Sequence, residues 1–357
     1  MPEIQENDRT AELQAAVRDA IADGEPVAIR GGATKAFYGR DSSGRPMEVS
    51  GHSGIVHYEP TELVVTVRSG TRLADLEALL ADNRQQLACE PPHFGTDATV
   101  GGMVAAGLAG PRRPWGGAVR DAVLGTRVLN GAGEVLHFGG EVMKNVAGYD
   151  LSRLLTGSLG VLGVLLEVSL KVVPRAPAET TRILELGPGE ALSHMVHWGG
   201  KPLPLTGAVQ TGGCLYVRLA GNGSAVAEAA ERIGGEDLND GEAFWRDLRE
   251  QRLPFFAGSE PLWRLSVPPA APLTDLAGDC LIDWGGAQRW LRSYAEAATV
   301  QAAAAKAGGY AAAFRGGDRT AEVFAPLSPP LLGVHRNLKR TLDPHGLFNP
   351  GRMYADL

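Results

Sequence analysis

The chain has 357 residues, 44% hydrophobic and 21% charged, an ordinary globular composition that is long enough for two or three hydrophobic cores. A formal charge of -7 argues against a nucleic-acid-binding surface as the main function and leaves small acidic substrates open. Three widely spaced cysteines, Cys89, Cys214 and Cys280, supply neither a disulfide framework nor a cluster-ligating motif, so a reduced, cytoplasmic compartment is expected. The N-terminal run Met1 to Asp8 is acidic and polar, without the basic-then-apolar order of a secretory signal. The most apolar run, Leu159 to Leu166, is too short and glycine-rich to cross a bilayer, so any membrane association is expected to be peripheral.

From Thr10, read as an N-cap, Leu13, Val17 and Ile21 recur at helical spacing until Asp23-Gly24 ends the pattern. Pro26 to Arg30 reads as a short buried strand running straight into Gly31-Gly32-Ala33-Thr34-Lys35. Consecutive glycines with a hydroxyl and an ammonium can turn several donors toward one anion; the same residues also read as a strand-ending turn with a solvated lysine. The loop is neither a Walker sequence nor a Gly-x-Gly-x-x-Gly fingerprint.

Glu62 to Arg68 is a β-branched strand, Ser69-Gly70-Thr71 reads as a turn and helix cap, and Leu73, Leu76, Leu79 and Leu80 share one helical face. Gln85 to Pro92 carries an extended chain to Thr99-Val100-Gly101-Gly102-Met103-Val104-Ala105-Ala106-Gly107-Leu108-Ala109-Gly110. Glycines between small apolar residues let backbone approach a ligand closely in a dry pocket, and equally describe a tight turn packed in a core. Val123 to Leu129 and Glu134 to Phe138 flank a hairpin turn at Asn130-Gly131-Ala132-Gly133. A third glycine cluster, Leu155 to Val164, leads into a strand ending at Pro174, a natural domain boundary.

Beyond Arg175 the pattern is weaker: scattered strands, an Ala-rich helix from Ala295 to Lys306, and Trp245, Trp263, Trp284 and Trp290, read as core or interface residues. A helix over Leu332 to Leu342 is stopped by Asp343-Pro344. The tail that follows, through Met353, is too rich in proline and glycine to be regular and too apolar to be loose, so it is expected to dock.

Three glycine clusters at these spacings resemble the two-lobed FAD-binding domain of the vanillyl-alcohol oxidase and p-cresol methylhydroxylase (PCMH) type. A closer resemblance is to the FAD-binding E subunits of bacterial glycolate oxidases. It is carried by Pro60-Thr61-Glu62-Leu63-Val64, Cys89-Glu90-Pro91-Pro92-His93, Gly107 to Trp115, Gly139 to Arg153, Leu281-Ile282-Asp283-Trp284-Gly285-Gly286 and Phe348 to Tyr354. The resemblance implies an α+β chain: a two-lobed FAD-binding domain over residues 1–174, a smaller α+β cap-like domain over 175–330, and a helix and tail over 331–357 returning to the FAD domain. It implies that Gly31, Gly32, Ala33, Thr34 and Lys35 wrap the pyrophosphate. Thr99, Gly101 and Gly102 would line the diphosphate and ribityl path, with Gly160, Gly163 and Val164 near the adenine end. Pro92, Asp121 and Asn349 fall in further motifs of the cofactor site. Some members of the superfamily attach the flavin through a histidine in the first glycine loop; here Gly31-Gly32-Ala33-Thr34 has none, so non-covalent FAD is expected.

Related 2-hydroxy-acid dehydrogenases carry a His-x-Gly-Asp-Gly-Asn segment whose histidine helps to bind a metal and the substrate. The corresponding stretch, Gly308 to Asp318, lacks that histidine, and of the eight histidines only His194 and His197 approach ligand spacing, read as surface residues. No metal site is expected. In the family, the E subunit is paired with a catalytic D flavoprotein and an iron-sulphur F subunit. The expected function is therefore an electron-relaying FAD subunit of a complex oxidising glycolate or another small 2-hydroxy acid, soluble or held at the inner face of the membrane by its partners. The alternatives are a self-sufficient FAD-dependent dehydrogenase, with Arg112, Arg113 or Lys144 holding the substrate carboxylate, and a non-catalytic flavin-binding scaffold.

Overall fold

Apolar side chains at helical spacing on Thr10–Asp23 need an apolar partner, and the strand Val27–Arg30 provides one. The computed structural model describes Ile4, residues 6–140 and residues 150–357. Leu13, Val17 and Ala20 of this helix close on Val27, Met47, Val49, Leu347 and Phe348, with the strand paired in parallel to Arg45–Glu48. Gly24, at φ 67°, ends the helix by donating to Ala20 and Ile21. Thr10 is the first helical residue rather than the cap: the Asp8 carboxylate, two residues upstream, accepts the Thr10 N–H at 2.9 Å.

A five-stranded antiparallel sheet lies in the same unit, in the order Ile55–Glu59, Val64–Arg68, Val164–Lys171, Val123–Leu129, Val135–Gly139. The last two form the expected hairpin, with Asn130 Oδ1 accepting the N–H groups of Ala132 and Glu134. On Leu73–Asp82 the four leucines are buried as the spacing predicts. Thr71 does not cap that helix; its hydroxyl bonds Gly54 instead, and extended Arg72 stands at the N-cap.

The chain divides into two compact units, one of residues 1–108, 118–174 and 319–357 and the other of residues 109–117 and 175–318. Residues 109–117, expected in the first domain, belong to the second unit, and the first unit regains the chain at Arg319 rather than at residue 331. Side chains explain both differences. The Trp284 indole N–H donates to the Gly110 carbonyl at 3.0 Å, the Arg113 guanidinium lies 4.5 Å from the Trp284 ring, and Trp115 packs on the core beside Leu192. The Arg319 carbonyl accepts the Asp41 N–H, and Phe324 meets Tyr38 edge to face.

The second unit is an eight-stranded antiparallel sheet in the order Glu236–Asp237, Ala178–Glu185, Cys214–Gly221, Leu205–Thr211, Asp279–Asp283, Gln288–Arg292, Leu262–Ser266, Tyr310–Arg315. Helices Pro188–Gly199, Gly223–Ile233 and Ala297–Lys306 pack their apolar stripes on it. All four tryptophans named above are buried. Among the described residues, no helix is long and apolar enough to cross a membrane, and no three His, Cys, Asp or Glu side chains form a metal-holding group.

His52 fastens the N-terminal strap. It is fully buried, its Nδ1 accepts the Arg9 N–H at 3.0 Å, and Asn7 and Ser53 exchange backbone hydrogen bonds beside it. Burial holds its pKa below the ordinary 6.5; Arg68 adds to this, while Asp8 and Glu167 oppose it. The folded chain thus keeps a neutral imidazole where the unfolded chain takes up a proton, so stability is lost as pH falls below about 6.5. Between about pH 7.5 and 5.5, urea denaturation is expected to show a loss on the order of 1 kcal/mol that His52→Gln largely removes. Parallel losses in both proteins would assign the acid sensitivity elsewhere.

Candidate functional site

The strand Val27–Arg30 delivers the chain to Gly31-Gly32-Ala33-Thr34-Lys35, and the two glycines are there for space. A β-carbon on Gly32 would collide with the Asp97 carbonyl, and one on Gly31 with the Thr99 hydroxyl. Ala33 then turns the chain at φ 52°, in the left-handed region. Within the described protein the N–H groups of Gly31, Gly32, Ala33 and Thr34 have no acceptor. Four successive amide donors in a bend make a concave anion receptor. Lys35 Nζ is tied to the His93 carbonyl at 3.1 Å.

The central glycine stretch is a short helix, Val100–Ala106, rather than a loop. Thr99 caps it, its hydroxyl accepting the Gly102 N–H at 3.2 Å, and Gly107 ends it at φ 63°. Its first donors are engaged inside the protein: Val100 N–H to the Thr71 carbonyl at 2.9 Å, and Gly101 N–H to the Ser69 carbonyl at 2.7 Å. Anion reception therefore falls to the Gly31 to Thr34 amides. Gly101 is required by approach, since a β-carbon there would stand 2.7 Å from that of Ser69.

The third cluster is locked to the first two by the C-terminal tail. Asn349 Oδ1 accepts the Ile29 N–H at 2.8 Å and its Nδ2 donates to the Leu159 carbonyl at 2.7 Å, while the Leu159 N–H donates to Ala105. Leu159 and Asn349 sit at φ 52° and 41°. The tail itself runs beside the first strand, Val27 N–H donating to Leu347 and Asn349 N–H to Val27.

These segments enclose a cavity of about 410 Å³ and, sharing a wall with it, a smaller chamber of about 90 Å³. Gly31, Gly32, Ala33, Thr34, Lys35, Thr99, Gly102 and Asn349 line the larger. Gly101, Gly160 and Gly163 line the smaller, again with Gly31, Gly102 and Asn349. Three expected residues do not line either. Val164 turns its side chain into the core with Leu129 and Leu166, because in a strand it faces opposite to Leu165, which does line the chamber. Pro92 is buried away from both cavities, and the Asp121 carboxylate is exposed and caps the Ala118 N–H at 2.8 Å.

Of the carboxylate candidates, Arg112 is buried and Arg113 lies on Trp284, both in the second unit, and Lys144 lies outside the described residues. Arg30, Ser69, Ala105, Leu159 and Arg352 line the cavities without having been singled out. Arg352 donates to the carbonyls of Arg40, Ala36 and Tyr38, pinning the loop after Lys35; burial, helped by the charge of Arg319, lowers its pKa. Its place in the tail motif is the signal that could have found it.

An anion receptor between glycine-lined apolar walls, with a fully buried and unpartnered Ser69 hydroxyl at the chamber, fits a dinucleotide with a diphosphate centre. Comparisons agree with this chemistry. The family model "FAD binding domain" matches residues 6–139. The chain is 52% identical over 354 residues to glycolate oxidase subunit GlcE of Escherichia coli, covering 99% of this chain and 100% of that protein. It is 35% identical over 168 residues to a D-lactate dehydrogenase of Anaerostipes hadrus, covering 46% of this chain and 35% of that one. Glycolate oxidase subunit GlcD of Bacillus subtilis matches at 34% over 128 residues, 36% and 27% of the two chains. Among solved structures, an alkyldihydroxyacetonephosphate synthase superposes with a TM-score of 0.66 at 16% identity, covering 95% of this chain and 74% of that one. The mixed helix-and-sheet architecture is thus an FAD-binding fold of the PCMH type.

Asn349→Ala removes both bonds that close the cavity and leaves the Ile29 N–H unmatched. It is expected to lower stability by about 1–3 kcal/mol in urea denaturation and to weaken FAD binding on the order of tenfold in a fluorescence titration. Gly32→Ala should abolish FAD binding at a smaller cost in stability, since it displaces the loop and not the core; full binding by Gly32→Ala would contradict the crowding argument.

Proposed function

The chain belongs to the family of glycolate oxidase E subunits, and from that premise we propose that it is the FAD-binding subunit of a complex that oxidises glycolate, a small 2-hydroxy acid, to glyoxylate. In this reading it relays electrons from a catalytic flavoprotein subunit to an iron-sulphur subunit. The second unit is read as the cap, and the complex as cytoplasmic or peripheral on the inner face of the membrane.

One observation carries the reading. The cavity is equipped to hold a dinucleotide, and among the described residues no histidine or carboxylate side chain lines it that could take the hydroxyl proton of a 2-hydroxy acid. The segment Gly308 to Asp318 supplies no histidine either: it forms the strand Tyr310–Arg315 of the second unit. FAD supplies reversible acceptance and release of one or two electrons when bound. The residues present do the holding. The Gly31 to Thr34 amides receive the diphosphate, Arg30 at the cavity mouth adds a positive charge, and Ile29, Ala105, Ala106 and Leu159 keep the walls apolar.

The D-lactate dehydrogenase match keeps one alternative open, a self-sufficient 2-hydroxy-acid dehydrogenase in which Arg112, Arg113 or Lys144 holds the carboxylate. Anaerobic mixing with glycolate separates the readings. Flavin bleaching is expected in the assembled complex and not, at turnover rate, in the isolated chain; bleaching of the isolated chain as fast as the complex turns over would establish the alternative. Because the first glycine loop has no histidine, the flavin is expected in the supernatant after acid precipitation, and a yellow pellet would mean covalent attachment.

A further inference from the structure

We infer that Ser69 is a cofactor-binding residue whose hydroxyl hydrogen-bonds the adenosine half of the dinucleotide in the smaller chamber. This rests on reading the cavity as the FAD site. Ser69 follows the strand Val64–Arg68 and is fully buried. Its backbone is fixed on both sides, its N–H donating to the Leu166 carbonyl at 2.8 Å and its carbonyl accepting the Gly101 N–H at 2.7 Å. Only the side-chain oxygen lacks a partner, and Ser69 lines the chamber.

A buried hydroxyl without a partner destabilises the fold, so its position at a ligand cavity calls for a ligand atom. Other buried hydroxyls without partners, those of Thr10, Thr126 and Thr156, belong to residues that line neither cavity. Most of the rest of the chamber wall is glycine backbone and apolar side chains such as Val49 and Leu165; of its other polar side chains, Ser158 and Asn349, the Asn349 amide is engaged with Ile29 and Leu159. That composition suits a flat ring, and the serine, which can donate and accept, suits the mixed polar edge of adenine or the ribose hydroxyls.

The choice between the two halves of FAD follows from reactivity. The flavin ring must exchange electrons with groups outside this unit and needs a reachable edge, whereas adenine does no chemistry and can be enclosed. The chamber is recessed into the core: Val49 packs with Leu13, Val17 and Leu129. The anion receptor lies along the larger cavity, which shares Gly31 and Gly102 with the chamber, so a diphosphate held there leads its adenosine end inward.

The test uses the flavin-stripped full chain, titrated by calorimetry with FAD, ADP and FMN. Ser69→Ala is expected to raise the Kd for FAD and for ADP about fivefold, with FMN unchanged, while the unliganded protein melts no lower than wild type. Ser69→Cys, close in volume and weaker as a hydrogen-bonding group, should fall between, and provides the same ranking if the alanine variant does not fold. Thr126→Val, which removes a hydroxyl of the same kind away from the cavity, should leave all three constants alone. Unchanged ADP and FAD affinities in Ser69→Ala would overturn the assignment, as would a raised Kd for FMN with ADP unaffected. Absence of FAD binding by the wild-type chain would instead overturn the reading of the cavity itself, and this inference with it.

Discussion

The cavity exists because the C-terminal tail is held against the first strand, and the tail is held by one buried cation. Lys339 Nζ donates to the Val161 carbonyl at 2.8 Å, the Phe348 carbonyl at 2.8 Å and the Asp343 carboxylate at 2.7 Å. Asp343 in turn accepts the N–H groups of Leu347 and Phe348 at 3.0 and 2.8 Å. Burial lowers the Lys339 pKa and the carboxylate opposes it. A buried ion pair is weak evidence of stabilisation by itself, because desolvation offsets attraction. Here all three ammonium donors are matched, so the pair acts as a fixture that places Phe348 and Asn349. From Asn349 the constraint passes to Ile29 and Leu159, and so to two of the three glycine segments.

The glycines divide by physical cause. Gly31, Gly32 and Gly101 are required because another residue stands where a β-carbon would go, at ordinary backbone angles. Gly107 is required by its left-handed φ at a helix end. Between them the site accepts strain in residues that have β-carbons: Ala33, Leu159 and Asn349 all line the cavity at positive φ. Such outliers persist only where the surroundings over-determine them. The bonds from Asn349 and from the Leu159 N–H supply that determination for two of the three.

Much of this was legible in the sequence because it follows from periodicity and turn chemistry. The leucine face of residues 73–80, the Asn130 hairpin and the strand into Gly31 all fold as their patterns dictate. The glycine segments were legible as close-approach backbone, and most of their residues do line the cavities. What escaped was the competition for hydrogen-bond partners. Thr10 and Thr71 have cap-forming side chains, yet Asp8 and Gly54 decide their roles through contacts that spacing does not encode. The Val164 side chain faces the core and its neighbour Leu165 faces the chamber, since on a strand one residue is the opposite face. The membership of residues 109–117 in the second unit depends on Trp284, far away in sequence, whose indole reaches Gly110. Arg352 and Ser69 escaped for the same reason: their roles lie in what surrounds them.

The bond inventory also bears on what kind of subunit this is. The helix terminus at Thr99 and the Asn349 amide could each address a ligand, and both are engaged in holding backbone. Lys35 and Arg352 likewise donate to carbonyls around the cavity. Among the described residues, the groups that face the cavities include a run of four amides and the charge of Arg30, both suited to recognising a fixed dinucleotide. Turning over a small acid needs a base whose protonation changes during the cycle, and amides and serine hydroxyls without a neighbouring base do not titrate in that range. A site with this donor set is suited to retaining a dinucleotide cofactor.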